Sequence, residues 1–221
     1  MAETPVFVYL HGFVSSPQSA KAQFFAEKLR ARGIEPLIPD LNEGEKGFFG
    51  LTLSRSVAQV RALLDRHGAD ERGAVLIGSS LGGYTAALVA HGDPRVRATL
   101  LMAPAFDLPG RWTAWLGEEQ IAAWRKDREL EVDHHAWGRK EKLGFGLYID
   151  ALGHPPYPRT GCPTLVLHGV NDAEVGIGAS QKYVEMTPEA QLVELPSDHG
   201  LLDVLDTIWQ RSEEFLTPWL A

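Results

Sequence analysis

The sequence holds a single cysteine, Cys162, among its 221 residues. That excludes an internal disulfide and any zinc site built from several thiolates, and it fits a reducing compartment. No apolar run approaches the roughly 18 to 20 residues of a membrane-spanning helix, so no membrane insertion is expected. Positive charge is in deficit: 21 Lys and Arg stand against 29 Asp and Glu, a net charge of -8. This is the wrong sign for a domain that holds nucleic acid by neutralising phosphates. The opening residues, MAETPVFVYL, carry an acid where a secretory signal wants Lys or Arg, and the expected location is cytoplasmic. Repeats and low-complexity linkers are also lacking. What is present is ordinary globular material, 44% hydrophobic, and its length suits one domain over residues 1–221.

Along the chain, short apolar runs alternate with helical periods. Val6 to Leu10 reads as a buried strand, followed by a helix opened at Ser16-Pro17, with Ala22, Phe25 and Leu29 on one face and Gly33 as its stop. Glu35 to Ile38 reads as a second strand, and Thr52 can cap a helix that carries Leu53, Val57, Val60 and Leu64. Further strands are expected at 74–77, 98–102, 164–167 and 192–195. Six strands alternating with helices predict an α/β fold: a mostly parallel sheet with helices on both faces. Residues 105–160 break the rhythm. This stretch has helical composition and holds Trp112, Trp115, Trp124 and Trp137, and it is expected to be a helical cap over a binding site.

The sharpest local signal is Gly78-Ser79-Ser80-Leu81-Gly82-Gly83, a G-x-S-x-G placed between a strand and a helix. Such a turn is tight, so the residues two before and two after the serine must be small, and it lifts the hydroxyl to the carboxyl edge of the sheet. Ser80 is therefore the candidate nucleophile. A serine needs a base, and His199 follows the last strand at the same edge. The base needs a carboxylate, and Asp172 follows the strand before it. Asp107 is a rival acid of lower rank, and Asp198 ranks lower still because neighbouring loop residues point apart. The backbone N–H groups of Phe13 and Leu81 are the candidate oxyanion donors. His11 is expected to brace the loop that holds Phe13. The adjacent His134 and His135 would diverge on a helix and cannot share one ion, so neither metal nor cofactor is expected.

With these residues assembled, the chain resembles the α/β-hydrolase superfamily over all but residues 105–160. Tyr9-Leu10-His11-Gly12-Phe13 with Ser15-Ser16-Pro17, the run from Gly78 to Tyr84, Leu167-His168-Gly169 with Asp172, and Ser197-Asp198-His199 are similar to small bacterial esterases and to mitochondrial acyl-glucuronide and depalmitoylating hydrolases. The resemblance implies a Ser80–Asp172–His199 triad and a small-molecule substrate with an acyl group on oxygen or sulfur. One departure is local: acids of this type are often followed by Val-Pro, whereas Ala173-Glu174 follows Asp172.

The expected activity is that of a serine carboxylesterase. A thioesterase or peptidase of the same fold is the neighbouring alternative, and a non-catalytic ligand-binding protein is the alternative of another class. Phe13, Trp112, Trp115, Trp124 and Trp137 are the candidate substrate-binding side chains. The cap holds 8 Lys and Arg against 9 Asp and Glu, so the acidity lies mainly in the core. With the first strand starting near Pro5, the antiparallel hairpin that opens larger relatives is expected to be missing.

Overall fold

The computed structural model describes residues 3–220. The first strand, β1 (Val6–Leu10), is apolar and buried at all five positions, as a strand covered on both faces must be. Its alternation divides the interior: Val6, Val8 and Leu10 enter one core, Phe7 and Tyr9 the other. Helix α1 (Ala20–Arg30) buries Ala22, Phe25 and Leu29 in the second core, and Gly33 follows at φ 76°.

Glu35 to Ile38 does not form the strand that its composition suggests. Only Leu37 pairs, through one parallel bridge to Val8. Pro36 and Pro39 flank it, and a proline has no N–H with which to extend a ladder. Among the described residues the sheet therefore has five strands, not six.

Helix α2 (Leu53–Arg66) begins where the Thr52 hydroxyl accepts from the Arg55 N–H at 3.1 Å. It buries the predicted Leu53, Val57, Val60 and Leu64. The short α3 (Ala69–Arg72) leads into β2 (Ala74–Ser79), which is followed by α4 (Leu81–Gly92) and β3 (Val96–Met102). After the insertion come β6 (Thr164–Gly169), α7 (Gly178–Met186), β7 (Ala190–Leu195) and α8 (Leu205–Leu216).

The sheet order is β1-β2-β3-β6-β7 and every ladder is parallel. From β1 the chain first runs outward to Leu37, then returns to pair β2 on the opposite side. This reversal is a topological switch point, and ligands of open α/β sheets bind outside the carboxyl ends of the strands at such a point. Helices α1 and α8 cover one face, and α2 and α4 the other.

The 105–160 insertion is not purely helical. It holds α5 (Leu108–Asp127), an antiparallel hairpin of β4 (Glu129–His134) and β5 (Arg139–Gly144), and α6 (Gly146–Ala151). The hairpin follows a period of two, with Leu130 and Val132 packed inward between Glu129, Glu131 and Asp133. Lys140 and Lys142 pair across it with Glu131 and Glu129. In composition these charged residues look helical; their alternation decides for strand. Gly117, at φ 79°, also bends α5. Hydrogen bonds that dock the insertion include Ala136 N–H to Val14 O, the Tyr84 hydroxyl to Pro155 O, and Ser54 N–H to the Asp150 carboxylate.

Candidate active site

Between β2 and α4 a single residue turns the chain. Ser80 has φ 53° and ψ -118°, a conformation that costs a non-glycine residue about 1–3 kcal/mol and persists only when its surroundings impose it. Here Ser80 N–H donates to Met102 O at 2.9 Å, and Ser80 O accepts from Ala105 N–H at 3.0 Å. The flanking glycines are required by contact distance. A Cβ on Gly78 would lie 2.4 Å from Gly82 O, and one on Gly82 would lie 2.2 Å from Leu10 O. The turn sets Ser80 at the N-terminus of α4, where free N–H groups and the positive end of the helix dipole face outward.

Three strand ends bring their loops to this point. His199 Nε2 lies 3.1 Å from Ser80 Oγ, and His199 Nδ1 lies 2.7 Å from Asp172 Oδ2. Asp172 has its side chain fully buried. Its Oδ1 accepts from the N–H groups of Glu174 and Val175 at 2.8 and 2.9 Å, and its Oδ2 accepts from His199 and also lies 3.0 Å from His168 Nε2. Burial works against the charge, but hydrogen bonds from His168, His199 and Val175 overcome it and hold the carboxyl far below the usual carboxylate range.

That shift has a stability consequence. The folded value lies below the unfolded value of about 3.9, so the stabilisation is complete above about pH 4 and is lost as pH falls from there toward the folded value. Thermal melts between pH 4 and pH 2 should therefore fall more steeply for the wild type than for Asp172→Asn, by a few degrees in a chain of this size. Parallel profiles would mean that Asp172 is not held in this way.

The rival acids are engaged elsewhere. Asp107 is the N-cap of α5 and accepts from Gly110 N–H; Asp198 accepts from Gly200 and Leu201 N–H. Glu174, largely exposed, places Oε2 3.7 Å from His199 Nε2 and so brings a second negative charge to the imidazole. Arg111 of α5 donates to Glu174 O at 2.8 Å, which ties the insertion to the acid-bearing loop.

The chain leaves β1 close beneath the serine: a Cβ on Gly12 would lie 3.2 Å from Ser80 Cβ. Among the described residues, no backbone carbonyl accepts from Phe13 N–H or Leu81 N–H. The imidazole of His11 is buried; its Nδ1 lies 2.9 Å from Gly12 O, and its Nε2 accepts from Leu41 N–H at 3.0 Å. His11 thus braces the loop.

The four tryptophans do not share one environment. Trp112 meets Phe13 edge-on at 5.5 Å, beside the serine's loop. Trp124 stacks behind Trp112 at 5.1 Å and donates its indole N–H to Leu143 O; at 1% exposure it presents no surface to a substrate, and it is a core residue of the insertion. Trp115 is 72% exposed, against the edge of Trp112. Trp137 stacks on His134 at 3.8 Å and borders Phe48. Of the four, Trp112 is the one packed directly on Phe13.

Two residues at the site were not singled out from the sequence, His168 and its partner Ser180, whose Oγ lies 2.7 Å from His168 Nδ1. Their only sequence signal is the spacing of His168 four residues before Asp172. Among the described residues no group of three or more His, Cys, Asp or Glu side chains is placed to hold a metal ion.

The chain is similar to several solved structures. Est1E from Butyrivibrio proteoclasticus, in a structure with ferulic acid bound, superposes with a TM-score of 0.83 at 22% identity, over 100% of this chain and 91% of that one. A putative hydrolase from Agrobacterium vitis S4 gives 0.82 at 24% identity, over 97% and 89%. Alpha/beta hydrolase domain-containing protein 10 from mouse gives 0.73 at 22% identity, over 97% and 92%. No curated protein matches the sequence. A family profile, that of the Uncharacterised protein family UPF0227, matches residues 6–216. The likeness to those structures shows the α/β-hydrolase fold, and the profile match over nearly the whole chain makes it a member of UPF0227.

Proposed function

We propose that the protein is a serine carboxylic-ester hydrolase that works through an acyl-enzyme on Ser80. The observation that carries this reading is the unbroken line from Ser80 Oγ to His199 at 3.1 Å and from His199 to Asp172 at 2.7 Å. Similarity to folds named as hydrolases supports the broader class of activity.

In this reading Ser80 Oγ attacks the ester carbonyl while His199 Nε2 takes its proton. Asp172, kept ionised, holds the Nδ1–H tautomer and stabilises the imidazolium. The N–H groups of Phe13 and Leu81 receive the developing oxyanion. His199 then protonates the departing alcohol and afterwards activates a water that releases the acid. Phe13, backed edge-on by the buried Trp112, supplies an aromatic surface on the loop beneath Ser80, which suits an apolar or aromatic group on the substrate.

The test is labelling by a fluorophosphonate, followed by peptide mapping and a panel of oxygen and sulfur esters of graded chain length. One phosphonate per chain on Ser80, together with turnover of activated oxygen esters, is expected. A label on another residue, or none, would sink the assignment. Thioesters cleaved far faster than matched oxygen esters would move the protein to the thioesterase class.

A further inference from the structure

We infer that His168 is a positioning residue of this site, sharing Asp172 with His199 so that the carboxylate is held in one plane and its charge is divided between two imidazoles. This inference rests on the hydrolase reading above. His168 stands on β6 and is fully buried. Buried histidines are common and most only fill space or brace a loop; the acceptor distinguishes this one. Its Nε2 lies 3.0 Å from Asp172 Oδ2, the same oxygen that His199 Nδ1 reaches at 2.7 Å.

The far side of the ring fixes which nitrogen carries the proton. Ser180, fully buried on α7, has its Oγ 2.7 Å from His168 Nδ1. A neutral imidazole has one N–H. The carboxylate can only accept, so the N–H is on Nε2, and the serine hydroxyl donates to Nδ1. Ser180, His168, Asp172, His199 and Ser80 thus form one hydrogen-bonded chain that ends on the attacking oxygen. Removing a donor from Oδ2 concentrates negative charge on the remaining bond to His199, which favours the imidazolium, and it frees the carboxylate to rotate.

The other charges that bear on this pair come from separate elements. Glu174 lies 3.7 Å from His199 Nε2. Lys21 of α1 and Arg111 of α5 lie in the field of Asp172, and Asp198 faces Lys21. The side-chain hydrogen bonds of His168 run to Ser180 and Asp172 and to none of these four, so a displaced pH profile reports on His168.

The experiment compares kcat and KM from pH 5 to pH 9 on an activated short ester, per active site titrated with fluorophosphonate. His168→Leu is expected to lower kcat about tenfold, the low end of what outer partners of a reactive group carry, with KM within about twofold. Its acid limb should move upward by about half a pH unit. His168→Gln, whose amide N–H can reach Oδ2, should return the limb close to its wild-type position. Ser180→Ala should move it in the same direction as His168→Leu, but less.

An unmoved limb with kcat within twofold would overturn the inference. So would a loss that is equal at every pH and is not rescued by glutamine, since that is the mark of a packing role. If His168→Leu fails to fold, His168→Gln and Ser180→Ala still decide, together with 15N NMR of the wild type. A proton on Nε2 is expected, and one on Nδ1 overturns the inference. Ser80→Ala separates the two readings: if that variant turns over as fast as wild type, the hydrolase assignment falls, whereas the NMR result for His168 stands or falls independently.

Discussion

Ser80→Ala is expected to lower ester turnover by about six orders of magnitude, the scale on which loss of a serine nucleophile removes kcat in other hydrolases. The size of the effect follows from the geometry. His199 Nε2 has a single hydroxyl within reach, Ser80 Oγ at 3.1 Å, and without it the remaining groups stabilise an oxyanion that no side chain generates. A residue of about 10³–10⁴ over water should persist from those groups. The fold should be indifferent to the change, because the backbone of Ser80, not its hydroxyl, anchors the turn: its N–H bonds Met102 O, and its C=O accepts from Ala105 N–H. Melting temperature should stay within about 2 °C, a surface-scale effect. Turnover above about a hundredth of wild type, measured on protein free of contaminating esterase, would show that another residue attacks.

Gly82→Ala is expected to be nearly as damaging by another route. Its Cβ would stand 2.2 Å from Leu10 O and 2.5 Å from His11 O. Both are backbone atoms at the end of β1, so no side-chain rotation relieves the clash, and either α4 or the end of β1 must move. Overpacking of this kind costs typically 1–3 kcal/mol and more where the backbone cannot yield. Either movement displaces a candidate oxyanion donor, Leu81 at the start of α4 or Phe13 beyond β1, and displacing one such donor costs about 10²–10³ in kcat. The variant should therefore either fail to accumulate as folded protein or melt well below wild type with turnover reduced at least a hundredfold. Gly12→Ala is the milder control, since its Cβ would meet Ser80 Cβ at 3.2 Å, a contact that a shift of a few tenths of an ångström relieves. A Gly82→Ala protein with normal melting and normal turnover would refute the close-approach account of the turn.

Legibility differed between parts of the molecule for physical reasons. The serine turn was readable because glycine two residues to either side of a serine, between a strand and a helix, is a local steric demand written in adjacent residues. Helix α2 was readable from its apolar period and from Thr52, again local. The hairpin in the insertion was not read, because Glu, Lys and Arg are good helix formers by composition and only the alternation of Leu130 and Val132 spoke for strand. Glu35 to Ile38 makes one bridge in place of a strand because Pro36, inside the segment, has no N–H with which to extend a ladder. His168 stands in the Leu167-His168-Gly169 block four residues before Asp172, and that spacing alone does not tell a histidine that bonds a carboxylate from one that fills space.

By itself, then, the sequence determined the alternation of strands and helices, the parallel sheet buried on both faces, the strained turn at Ser80, and the chain order of serine, acid and histidine. Each follows from interactions among residues close in the chain, where spacing and steric size suffice. Tertiary structure alone decided that Asp172 and not Asp107 meets His199, that one oxygen of Asp172 serves two histidines, and that of four tryptophans Trp112 packs on Phe13 while Trp124 is buried behind it. Those outcomes depend on which strand ends lie side by side in the sheet and on how the insertion docks across it. Apart from His168 and Asp172, four residues apart, the side chains that meet are 12 to 99 residues apart in the chain and come together only in the folded molecule.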